Sequence, residues 1–125
     1  MKVTKTIREY VVEKVNLKFQ PHIDEVFKEY DEARNATIEK AQAVFEESRD
    51  KIIALCKENG FDCTSLVVSL NAYYINDPVR SNKLRKKKDE LIARRQEVIQ
   101  DILLALELGE TNKNELKNVL DQVVV

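Results

Sequence analysis

Residues 22–60, HIDEVFKEYDEARNATIEKAQAVFEESRDKIIALCKENG, contain no proline and no glycine until Gly60 closes them. Within them Ile38, Ala41, Phe45, Ser48, Ile52 and Leu55 follow one another in steps of 3 and 4, the seam of a helix that packs lengthwise on another. Upstream, the seam continues as Ile23, Val26, Tyr30 and Ala33. The two halves are out of phase by one residue, which predicts local unwinding near Arg34–Thr37. At about 1.5 Å per residue, a helix from His22 to Glu58 reaches roughly 55 Å. Asn59-Gly60-Phe61 is a glycine stop with an apolar residue placed to fold back on the last turn. Pro21 marks a first helical position or a break between two helices.

Working outward, residues 4–20 read either way. Thr6-x-x-Glu9 resembles a capping box, and Ile7, Val11 and Val15 fall one turn apart, which favours a helix from Thr6 to Lys18. Val15–Phe19 also alternates as a strand would. On the other side, Phe61–Asp77 carries both periods. Leu66, Val68, Leu70, Ala72 and Tyr74 alternate with more polar neighbours, so a single short strand at 65–75 competes with a helix. Asp77-Pro78 is a cap followed by a first helical residue, and a helix from Pro78 to Leu108 ends at Gly109. Its second half, with Leu91, Ile92, Val98, Ile99, Ile102, Leu103, Ala105 and Leu106, is apolar enough to be buried among several helices. A last short helix, capped by Thr111 or Asn112, carries Leu116, Val119, Leu120 and Val123 on one stripe.

The fold class that follows is mainly α. One domain, residues 1–125, is built on an antiparallel helical hairpin of residues 22–58 against 78–108, with short terminal helices. Two glycines, two prolines, no tryptophan and 34% charged residues fit a bundle or coiled coil and disfavour sandwiches and barrels. A roughly 55 Å helix leaves apolar seam that a partner of about 46 Å does not cover, so a homodimer or larger is expected. With no apolar span and no leader-like start, the expected location is the cytoplasm, where Cys56 and Cys63 would be reduced.

Charge is balanced overall at -1 but segregated along the chain. Arg80, Lys83, Arg85, Lys86, Lys87, Lys88, Arg94 and Arg95 stand against only Asp89 and Glu90 in residues 80–95. The long helix is acidic. The basic run is read first as a solvated face pairing with Glu46, Glu47, Asp50 and Glu58 across the hairpin. The competing reading is a nucleic-acid surface, with Tyr73 and Tyr74 stacking on bases. A third is a small-ligand, nucleotide-like site around Tyr73 and Tyr74 at a subunit interface. No metal or cofactor is expected. His22 is the single histidine, no close pair of metal ligands occurs, and two isolated glycines build no phosphate loop. No catalytic constellation is legible, and the expectation is a non-enzymatic interaction protein.

The opening MKVTKTIREY, Met1–Tyr10, resembles the start of small proteins encoded by phages and prophages of Gram-positive bacteria. The similarity covers about a tenth of the chain and carries no site residue. It implies a setting: such proteins act by binding host or phage macromolecules, including defence nucleases.

Overall fold

A computed structural model describes residues 2–63 and 75–125. They form three helices: α1 (Lys5–Glu58), α2 (Pro78–Glu107) and α3 (Leu116–Asp121). Among the described residues there is no strand, and the fold is mainly α. Residues 64–74, which hold most of the segment where strand and helix compete, lie outside the described set.

The long helix starts earlier than expected. Thr4, not Thr6, is the cap: its Oγ1 accepts the N–H of Ile7 at 3.2 Å. The helix then runs for 54 residues with Pro21 in its interior. Pro21 is therefore neither a break nor a first residue, and the separate helices at 6–18 and 22–58 are one. Interior proline costs about 3 kcal/mol against alanine. Burial on both sides of it supplies the compensation. Val15 and Phe19 precede Pro21, Ile23 and Val26 follow it, and all four are buried. Each contributes on the order of 1.5–3 kcal/mol. The unwinding expected at Arg34–Thr37 is also absent: this stretch is α-helical, and Thr37 Oγ1 donates back to the Ala33 carbonyl at 2.9 Å.

The two glycine stops close their helices alike. Gly60 (φ 85°) and Gly109 (φ 75°) both take the left-handed conformation. The N–H of Phe61 donates to the Cys56 carbonyl at 3.0 Å, and that of Glu110 to the Ala105 carbonyl at 3.0 Å. Phe61, however, stays exposed instead of folding back on the last turn. At the start of α2, Asp77 Oδ1 accepts the N–H of Arg80 at 3.1 Å, as its place before Pro78 predicts.

The chain divides into two compact units, Met1–Glu29 with Lys83–Val125, and Tyr30–Asn82. The first holds the main core: Val11, Val15, Phe19 and Ile23 of α1, Val98, Ile99, Ile102, Leu103 and Leu106 of α2, and Leu116 and Leu120 of α3. Here α1 and α2 run antiparallel, since Glu29 meets Lys87 while Arg8 and Val12 share a groove with Leu103. The partner of α2 in this core is thus Lys5–Glu29, where the sequence pointed to 22–58. The fully buried Phe19 and Val15 explain the choice, because the densest apolar stripe on α1 lies in its first half. α3 closes the unit. Asn112 Oδ1 accepts the N–H of Glu115 at 3.0 Å in the turn before it, and Lys18 Nζ donates to the carbonyls of Asp121 (2.7 Å) and Val123 (3.3 Å).

The second unit contains the α1 stretch Tyr30–Glu58. Of the expected seam, Ala33 is buried and Ile38, Ala41 and Phe45 are half-buried, as is Thr37 beside them. Cys56 and Cys63 form a disulfide across the Gly60 turn, a correction to the expectation of two reduced thiols. The helix stop supplies the reason. The turn at Asn59–Gly60 reverses the chain and sets the two Cα atoms 6.2 Å apart, within bridging range. A spacing of seven residues in sequence does not disclose that proximity.

Candidate interaction surface

Lys83, Lys87 and Arg94 of the basic run fall within roughly 40° on α2, but the four consecutive cations at its centre do not share a face. Successive helical residues turn by about 100°, so Arg85, Lys86, Lys87 and Lys88 point in four directions around α2. Within the first unit, Lys88 turns toward α1. Its Nζ lies 5.9 Å from the centroid of the Phe27 ring and 3.9 Å from Asp89 Oδ1. Lys87 Nζ pairs with Glu29 Oε1 at 3.7 Å. Both side chains of that pair are substantially exposed, so it contributes at most about 1 kcal/mol. No described ion pair joins the run to Glu46, Glu47, Asp50 or Glu58. Lys87 instead meets Glu29, more than four turns before these acids along α1, and Glu47 takes Lys51 of its own helix at 3.1 Å.

Lys83, Arg85 and Lys86 are exposed and make no ion pair among the described residues. Arg80 belongs to the second unit, where its backbone completes the Asp77 cap. Tyr73 and Tyr74, expected to stack on bases or line a pocket, lie outside the described residues. Of the site residues inferred from sequence, Arg85, Lys86, Lys87 and Lys88 diverge around α2 within about one helical turn.

Two features escaped the sequence reading. One is a groove of about 300 Å³ between α1 and α2 in the first unit. Val12, Ile99 and Leu103 contribute apolar surface to it, and Arg8, Arg95, Asn16, Gln96 and Gln100 contribute polar groups. It sits at the small end of ligand-pocket sizes. The i, i+4, i+8 spacing of Arg8, Val12 and Asn16 is its only trace in the sequence. The other is an exposed apolar row in the second unit: Val44 (58% exposed), Ile52 (43%) and Leu55 (56%) on α1, with Phe61 (59%) just past its end. Ile52 and Leu55 were legible as positions of a seam expected to be partly uncovered; Val44 was not.

Among the described residues, no group of three or more His, Cys, Asp or Glu is placed to hold a metal ion, and no helix is long and apolar enough to cross a membrane. Comparison with protein-family models, with curated proteins and with solved structures finds no match. The surface itself is therefore the ground for a functional reading.

Proposed function

We propose that this chain is a non-enzymatic, homo-oligomeric helical module that works by binding another protein, in the manner of small phage proteins that modulate or inhibit a host complex. The observation that supports this reading most is the exposed apolar row of Val44, Ile52 and Leu55 on a stretch of helix otherwise densely charged. Apolar side chains gathered on one exposed face are the usual mark of a protein contact. The test is capture from host lysate by the tagged chain, with and without nuclease and at two salt concentrations. Wild type should retain a discrete protein through nuclease and high salt. Recovery of nucleic acid alone, lost at high salt, would refute this reading.

A nucleic-acid-binding reading has one observation in its favour, the exposed Lys83, Arg85 and Lys86, which make no ion pair among the described residues. Their divergence around α2 lets a phosphate backbone engage only part of the set at once, which ranks this reading second. It requires binding that falls steeply with salt and weakens when Lys86, Lys87 and Lys88 are neutralised; no binding at low salt would eliminate it.

A further inference from the structure

We infer that the open face of α1 between Lys40 and Glu58 pairs antiparallel with the same face of a second copy, about a two-fold axis near residue 49. This rests on the homo-oligomeric reading above and names its interface.

The argument begins with where the side chains point. At about 100° per residue, Val44 and Leu55 lie within roughly 20° of each other on the helix, with Ser48 close beside them. Lys40, Glu47, Lys51 and Glu58 fall within a band of roughly 40° along one shoulder of that row. All of these residues are exposed. In an antiparallel helix pair related by a two-fold axis, each shoulder faces the same shoulder of the partner, and residue i meets residue j while j meets i. Centring the axis near residue 49 sets Lys40 against Glu58 of the second copy and Glu47 against its Lys51. By symmetry each pairing occurs twice. The same register lays Val44 over Leu55 of the second copy, so the apolar row covers itself.

The charges also select this register. Sliding one copy by a heptad in one direction brings Lys40 opposite Lys51, and in the other direction brings Glu47 opposite Glu58. Either slip replaces attraction with like-charge repulsion, twice over. The two-fold register alone satisfies all four positions of the shoulder. Exposed pairs of this kind contribute little affinity each. Their effect is to fix direction and register, while burial of Val44, Leu55 and the flanking Ile52 supplies the attraction.

The intrahelical Glu47–Lys51 pair complicates a simple substitution, because either single variant also breaks that contact. Mixing the two single variants removes the difficulty. The full chain is studied by sedimentation equilibrium as wild type, as Glu47→Lys, as Lys51→Glu, and as an equimolar mixture of the two variants. Wild type should run as a dimer of twice the 14.5 kDa chain mass at roughly 100 µM. Each variant alone should dissociate at least about tenfold more readily, since two like-charge contacts replace two favourable ones. The mixture should recover the dimer as a heterodimer, although neither variant has regained its intrahelical pair. A wild-type monomer at that concentration overturns both this interface and the homo-oligomeric reading. A wild-type dimer that the single variants leave intact overturns this interface alone and leaves the homo-oligomeric reading standing. Variants that weaken the dimer without recovery in the mixture overturn the antiparallel register.

Discussion

Replacing Pro21 with alanine should stabilise the protein, and the sign of the effect is what matters. Pro21 is the seventeenth residue of α1, with sixteen helical residues before it and thirty-seven after it. In that setting proline removes the N–H that would bond to the Leu17 carbonyl and presses its ring on the preceding turn, a cost of about 3 kcal/mol against alanine. Pro21 and Leu17 are both exposed, so water satisfies part of what the freed carbonyl lacks. A net gain of about 2 kcal/mol follows, which for a chain of this size raises Tm by roughly 8 °C. In urea, with a slope near 1.5 kcal/mol per molar, the midpoint should rise by about 1 M. Had Pro21 opened a second helix, its fixed φ would be an asset there, and alanine would cost up to about 1 kcal/mol. The assay is helical circular dichroism through urea and thermal melts, with wild type and Pro21→Ala at the same protein concentration, since self-association adds its own stabilisation. An unchanged or lowered midpoint would refute the continuous helix and restore a boundary at Pro21.

Phe19 is completely buried among α1, α2 and α3, and Phe19→Ala should cost about 3–5 kcal/mol, measurable as a lowered urea midpoint. Lys18→Met keeps the aliphatic stem but removes the donor to Asp121 and Val123; amide exchange should quicken over residues 116–123 while α2 stays protected. Gly60→Ala forces a side chain into left-handed backbone with nothing crowding it, so the penalty should be conformational only, about 1 kcal/mol, and Gly60→Asn should recover part of it.

What was legible in the sequence was local. Both glycine stops, the Asp77 cap, the α2 span and the stripe of α3 depend on neighbours within one or two turns, and they stand where the spacing puts them. What was hidden was set by tertiary contact. Pro21 is a strong local signal for a boundary, but buried residues on both sides of it outweigh that preference. The partner of α2 was misplaced for the same reason. Periodicity runs along the whole of α1, so it cannot by itself say which half finds the core; the fully buried Val11, Val15 and Phe19 do. The α1–α2 groove needs two helices in a known register before Arg8 and Arg95 can be placed together. The cysteines illustrate the same limit at short range, since only the geometry of the Gly60 turn makes neighbours of Cys56 and Cys63.

The ammonium of Lys18 is held by two main-chain carbonyls at the end of the chain, and this sets it apart chemically. An amine engaged in this way is a poor nucleophile, because acylation requires it first to release both acceptors. In a time course with an amine-reactive ester, Lys18 should be among the slowest lysines to label, while Lys83 and Lys86 react early. Its reactivity then becomes an indicator of α3: any partner, fusion or truncation that pulls the C-terminal helix away would be recorded as a faster Lys18, readable by peptide mass without a structure of the altered form.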